Sequence, residues 1–423
     1  MIIKLSKKKG SHSFIASLIM TFFIISLGLG ESFAIGGIKI IYIFTSLVLL
    51  VFIAQRKIIR RRKTEELKFL DFCFLWVLYG AIQYFWAIDK SIWMFFYRSL
   101  LINVLVVLII FSFVQTLDDW VLVAKAFTVS IAISLLVGFW EILTGQHLFV
   151  EDYSKMNSNT VMYYLNKPST FFGNVNDYAS VLFLGLIIIT ILFIICREER
   201  NTMYRRAARI LSYLIAVSSV IYQIIVTSSR GAILSLPLFL FTLFGFYYFN
   251  KLLKDKSVFK KNAVLTAIII LSVIFVLLFL SFNSIETFGV NSSGDLKSNQ
   301  TRILLIKRAF DAFLNTFGFG VGPGQTVAIN GINLHSFYLE VLFEYGVLIG
   351  GYVVFTFFRL AYASKIAINE TIDAIVKSFP IVLLVLGLSS SKLFSIRLTW
   401  VTFALIFSIK YNNFSLPSRG TKK

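Results

Sequence analysis

The chain has 423 residues, 57% of them hydrophobic, 16% aromatic and only 15% charged, with a mean hydropathy of +0.81. Soluble domains carry roughly 25% charged residues, so a soluble globular fold is excluded, and recurring apolar runs of about 20 residues specify an all-α, polytopic integral membrane protein. The net charge of +20 does not point to nucleic acid, because no folded polar domain is present to carry a basic face.

Apolar runs predict about twelve membrane helices, at 14–30, 38–54, 69–86, 92–115, 119–143, 177–196, 209–226, 231–250, 262–282, 336–358, 378–394 and 398–411. The first follows a basic segment, Lys4 to Lys9, and precedes Ser32-Phe33-Ala34, so it resembles a signal peptide. Its apolar run exceeds the 7–15 residues of such a core, and it reads as a retained span. The basic segments 1–13, 55–68 (with Arg60-Arg61-Arg62-Lys63), 197–209, 251–261, 359–377 and the tail all fall on one side with this count. The positive-inside rule makes that side cytoplasmic and puts both termini there. Cys73 and Cys196 lie within apolar runs and read as small buried hydrophobes. No repeat or low-complexity linker divides the chain, so 1–423 reads as one transmembrane domain.

Two long loops, about 144–176 and 283–335, and the short turn Thr227–Gly231 then face outward. The second loop is too polar to touch lipid and reads as the catalytic loop. Within it, Gln300–Asn315 predicts an amphipathic helix at the membrane interface, with Ile303, Ile306, Phe310 and Phe313 on one face. Arg302 is expected to open that helix, where free N–H groups and the helix dipole already favour an anion; the alternative is a surface charge. Gly318, Gly320, Gly322 and Gly324 alternate with no Gly-Lys-Ser/Thr after them, so this is a tight turn and not a Walker loop.

Arg230 follows Ser228-Ser229 and precedes Gly231 between two apolar runs. It either anchors a helix end among headgroups or grips an anion. The scarcity of basic residues on that side and the adjacent hydroxyls and glycine favour the anion site. His335 stands where the polar loop enters a span, with Glu340 and Glu344 following. An imidazole there can accept a proton near neutrality, and Glu344, inside the span, requires a partner. Asn174 lies in Phe172-Gly-Asn174-Val-Asn176-Asp177, where Asp177 is expected to cap the next helix. His12 and His147 carry no expected role. No cluster has metal-ligand spacing and no ATP motif is present, so neither metal nor cofactor is expected.

Thr227-Ser-Ser-Arg230-Gly231, Thr301-Arg302 followed by Gly318-Phe-Gly-Val-Gly322, and Leu334-His335 followed by Glu344-Tyr-Gly346 and Gly350, together with the Asn174 segment, resemble the O-antigen ligase and polymerase superfamily of bacterial membrane glycosyltransferases. The likeness covers about residues 170–360. Ser336 departs from the asparagine common after the histidine. The resemblance implies a GT-C-type helical fold in the bacterial cytoplasmic membrane. It also implies a donor glycan on undecaprenyl pyrophosphate, a glycan or glycolipid acceptor, and a site on the periplasmic or extracellular side. It assigns Arg230 and Arg302 to the pyrophosphate and His335 to the acceptor hydroxyl; Glu344 and Asn174 are further candidates for contact with substrate. Direct displacement would invert the anomeric centre. A composition rich in Ile, Phe, Lys and Asn suits an AT-rich, Gram-positive source and favours polymerase over ligase. A flippase of lipid-linked oligosaccharide is the alternative from another class; it would show internal repeats or midplane charges, and the sequence shows neither.

Overall fold

A computed structural model of the chain describes residues 12–29, 34–35, 38–54, 64–148, 167–197, 203–252, 293–334, 336–362, 367–389, 393, 395–412 and 414. The expected span at 262–282 and residues Ser32 and Phe33 lie outside them. The helices are α1 (Phe14–Gly28), α2 (Ile40–Ala54), α3 (Thr64–Ile82), α4 (Lys90–Phe113), α5 (Leu117–Thr144), α6 (Val175–Arg197), α7 (Met203–Thr227), α8 (Arg230–Leu252), α9 (Ser293–Asn315), α10 (Gln325–Asn330), α11 (Phe337–Tyr362), α12 (Glu370–Ser389) and α13 (Arg397–Tyr411). Among the described residues the strands form one two-residue antiparallel ladder, Ala34–Ile35 with Ile38–Lys39, before α2.

Among the described residues, eight helices are long and apolar enough to cross a membrane. The all-α polytopic expectation therefore holds. Each expected span among the described residues falls on a helix, but α1, α2 and α13 have 15 residues each and so extend only about 22 Å, short of a hydrocarbon core of about 30 Å. The span expected at 262–282 lies outside the described residues, so the count of twelve is not established.

Burial sorts the helices into an inner and an outer set. α6 and α12 are the most enclosed, and α7 is mostly exposed along its apolar length, as a lipid-facing helix should be. The main core gathers side chains of α4, α5, α6, α12 and α13, including Trp120, Phe127, Phe183 and Trp400. α8 and α12 pack along their length. Phe246, late in α8, meets Ala374, early in α12, so the two run antiparallel and Arg230 shares an end of the bundle with Ser389. Gly387, near that same end, faces Phe337 and Tyr338 at the start of α11. The turn at Arg230 and the entry to α11 therefore lie at one end of the molecule.

Local caps set the helix starts. Thr116 and Asp119 form a reciprocal capping box at α5. The side chain of Asp89 accepts from the backbone amides of Ser91 and Ile92 to cap α4.

Candidate functional site

The glycine-rich segment and a break in α11 form one structure. α11 departs from helical geometry at Gly346 (φ 77°, ψ 177°), which frees backbone groups inside an apolar helix. Such a break persists only where other groups satisfy them. Here the glycine segment does so. Val321 N donates to Phe343 O (2.9 Å), Gly322 N to Glu344 O (2.9 Å) and Val347 N to Gly318 O (3.1 Å). The approach is too close for side chains. A Cβ on Gly320 (φ 85°) would lie 2.5 Å from Glu344 O and Gly346 N, and one on Gly346 would lie 2.6 Å from Phe319 O.

Glu344 has the partners that its position in an apolar helix demands. Thr326 Oγ1 donates to its Oε1 (2.5 Å), and the backbone amides of Gly324 and Thr326 lie near the same carboxylate. Its carboxylate is thus engaged by the turn and by α10. Glu344 also lines a cavity of about 60 Å³ with Trp76, Asn103, Asn333, Glu340 and Trp400.

His335 lies outside the described residues, but its neighbours are placed. Leu334 N donates to Glu340 Oε1 (2.9 Å) and Glu340 N donates to Ser336 O (3.0 Å). Glu340 therefore holds the chain on both sides of the histidine.

Arg302 does not open its helix. α9 begins at Ser293, so Arg302 sits in the third turn, and attraction by a helix N-terminus does not apply to it. The buried stripe of α9 is Leu305, Ala309 and Phe313, packed on Leu334 and Phe343. Of the four residues expected on one apolar face, Phe313 is buried in this stripe and Ile306 packs against it, whereas Ile303 is 68% and Phe310 44% exposed. The packing partner is α11, which selects the stripe; the outward face, with Ile303, Leu304, Phe310 and Leu314, remains apolar. Asn330 Nδ2 donates to Leu305 O (3.2 Å), so the backbone one turn beyond Arg302 touches the segment leading to His335.

Arg230 is the first residue of α8 and is exposed. Ser228, two residues earlier, has φ 53°. The other described non-glycine residues in this left-handed region are Thr170 (φ 48°) and Phe317 (φ 52°). One precedes Asn174 and the other precedes the glycine turn. Strain of this kind costs of order 1–3 kcal/mol and concentrates at functional sites, and all three instances fall in segments singled out by sequence.

Asn174, and not Asp177, caps α6: its Oδ1 accepts from Asn176 N (2.9 Å) and Asp177 N (3.4 Å). Asp177 lies in the first turn, buried. The strained loop before it is tied to α5 by Glu141, whose Oε2 accepts from Ser169 N (2.8 Å) and Thr170 N (2.9 Å) and lies 3.4 Å from His147 Nδ1. Sequence reading passed over Glu141 and His147. A carboxylate near the end of an apolar run was the available signal.

Residues 214–355 match the family model described as O-antigen ligase. The chain is also 26% identical over 369 residues, 80% of its length and 70% of the relative's, to the teichuronic acid biosynthesis protein TuaE of Bacillus subtilis (strain 168). Both findings support the O-antigen ligase and polymerase superfamily. The likeness is thus to ligase- and polymerase-type membrane glycosyltransferases. The matched segment runs from α7 into α11 and contains Arg230, Arg302, the glycine turn, His335 and the break at Gly346. Asn174, Glu141 and the corner between α3 and α4 lie outside it.

Proposed function

We propose that the protein transfers a glycan from undecaprenyl pyrophosphate to the hydroxyl of an acceptor sugar, lengthening a surface polysaccharide. The observation that carries this reading is the sharing of one bundle end by the Arg230 turn, the middle of α9 and the entry to α11. Arg230 and Arg302 bind the pyrophosphate. The acceptor oxygen bonds to the anomeric carbon, the bond from that carbon to the diphosphate oxygen breaks, and the acceptor's proton passes to His335. The diphosphate is a good leaving group that needs charge stabilisation more than protonation. Two guanidinium groups supply this without a metal or other cofactor, and a single displacement inverts the anomeric centre. The positive-inside pattern supports an outward-facing site in the cytoplasmic membrane with both termini inside. A relative named for teichuronic acid biosynthesis favours polymer assembly. Ligation to lipid A-core or another surface acceptor is the second reading, favoured by the description of the matched family model.

The test is transfer by purified protein in detergent, given lipid-linked donor and acceptor, with products sized by mass spectrometry. Arg230→Ala and His335→Ala are expected to lower transfer by at least about a hundredfold with membrane insertion unchanged. Near-normal transfer by both variants would overturn the site assignment. A protein that moved lipid-linked glycan across vesicles but formed no new glycosidic bond would be the flippase instead.

A further inference from the structure

The turn leading to His335 is held by a corner of the molecule outside the matched family segment. Between α3 and α4 the chain makes one 3-10 turn, Gln83–Trp86. Gln83 is fully buried, and its Nε2 points at a cluster of backbone carbonyls. It donates to Glu344 O (2.7 Å) and Phe319 O (3.1 Å), with Gly320 O at 3.5 Å. Three surrounding acceptors fix which way the amide faces. Trp86 Nε1 donates to Gly320 O (2.9 Å), and the Tyr79 hydroxyl donates to Phe319 O. Three residues on, the side-chain amide of Gln325 pairs with Asp89 in both directions: Asp89 N donates to Gln325 Oε1 (2.8 Å) and Gln325 Nε2 donates to Asp89 O (2.9 Å).

Gln83 reaches both partners in the turn, the glycine segment at Phe319 and the broken helix at Glu344. We propose that Gln83 is a positioning residue: it fixes the glycine turn against the break in α11, and with it the described segments on either side of His335. This rests on the reading of His335 as the group that receives the acceptor's proton. Gln83 is not expected to touch substrate. Each carbonyl it serves keeps a second donor when it is removed: Gly322 N for Glu344 O, the Tyr79 hydroxyl for Phe319 O and Trp86 Nε1 for Gly320 O. The fold therefore survives the loss while the geometry loosens. A misplacement of about 1 Å can cost about a hundredfold in rate.

Transfer kinetics of the purified full chain, with lipid-linked donor and acceptor, test this. Gln83→Leu is expected to lower kcat about ten- to a hundredfold with KM for the acceptor unchanged. Trp86→Phe, which removes one donor and keeps the ring bulk, should lower kcat about threefold by the same loosening. In Gln83→Glu, a carboxylate would face carbonyl oxygens, whereas a protonated carboxyl can donate to one. Its activity relative to wild type should rise as pH falls, which a purely space-filling role would not produce. Backbone deuterium exchange of residues 318–336 should accelerate in Gln83→Leu. His335→Ala, assayed in parallel, separates the two levels. If it is inactive while Gln83→Leu and Trp86→Phe keep wild-type kcat, the positioning role alone is overturned. If KM rises in proportion as kcat falls, Gln83 acts on substrate and the inference fails. If His335→Ala transfers normally, the functional reading and the positioning role fail together.

Discussion

The two ends of the bundle bury polar groups for opposite purposes. At the glycine turn, Gln83, Trp86, Thr326 and Glu344 bond to irregular backbone or to one another across it, and they hold conformations that a free chain would avoid. At the other end, Asp373 of α12 lies between two buried lysines, Lys377 of its own helix (3.0 Å) and Lys410 of α13. Lys377 also sits 5.2 Å from the centre of the Phe249 ring. Nearby, Glu66 of α3 accepts from Asn412 Nδ2 (2.8 Å). Here regular helix ends are fastened by side-chain charges. The glycine turn invests its hydrogen bonds in shape, as a site that must be rigid before substrate arrives would. The charged cluster invests them in cohesion. Damage to the first should cost activity in a folded protein, and damage to the second should cost stability.

The largest effect should come from glycines that differ only in the space around them. Gly320 and Gly331 both have φ near 80° (85° and 76°), but a Cβ on Gly331 meets nothing within 4 Å, whereas one on Gly320 meets backbone at 2.5 Å. Gly331→Ala bears only the left-handed cost of about 1–2 kcal/mol and should transfer within a few-fold of wild type. Gly320→Ala must push the turn off the broken helix and should be inactive in the purified transfer assay. Equal activity in the two would show that the contact with α11 is irrelevant to function.

Next is the charged cluster. Asp373→Asn removes the carboxylate between two buried ammonium groups. Breaking a buried ion pair from one side costs about 3–5 kcal/mol. Thermal unfolding in detergent should show that loss, while protein that remains folded transfers at the wild-type rate. A variant that melts normally but fails to transfer would reverse the comparison and make this end functional.

Glu141 tests the boundary between the two behaviours, because one carboxylate serves a strained loop. Glu141→Gln weakens two charge-assisted bonds to Ser169 and Thr170, worth about 1.5–3 kcal/mol each when intact, and a neutral oxygen retains part of that. A drop in unfolding free energy of about 1–2 kcal/mol is expected, with a smaller loss of transfer than in Gly320→Ala.

Hydropathy made the spans legible, and residue type made the three motif segments legible, because arginine, histidine and alternating glycine are conspicuous in an apolar chain. Tertiary relations were not legible. Gly346 stands out in the sequence only as part of a motif; the break it makes in α11 is visible only beside Gly320. Lys377 reads as the last charge of a cytoplasmic segment, yet α12 starts at Glu370 and buries it. Periodicity identified an amphipathic α9 without saying which part of its apolar surface would pack on α11. A helix apolar on two sides has no unique inner face until its partner is known. Gln83 gave no signal at all, since an uncharged amide at a helix end marks neither a cap nor a charge.

The smallest effect belongs to the same corner and has a definite sign in pH. Bonds from Ile92 N–H and Ser91 to its carboxylate hold Asp89 below the usual carboxylate pKa. A group depressed in the folded state stabilises it above the unfolded pKa, near 3.9, and loses that contribution as pH falls through the folded value. Wild type should therefore melt above Asp89→Ala at pH 7, and the two curves should converge as pH falls through the lowered pKa of folded Asp89. Asp89→Asn keeps a capping oxygen without the titration, so its offset from Asp89→Ala should be independent of pH. Because Asp89 also pairs through its backbone with Gln325, the Ala variant distinguishes two couplings. If the cap serves only α4, transfer stays unchanged while melting shifts. If loosening the cap also loosens the glycine turn, kcat falls with it, and the α3–α4 corner acts as one unit.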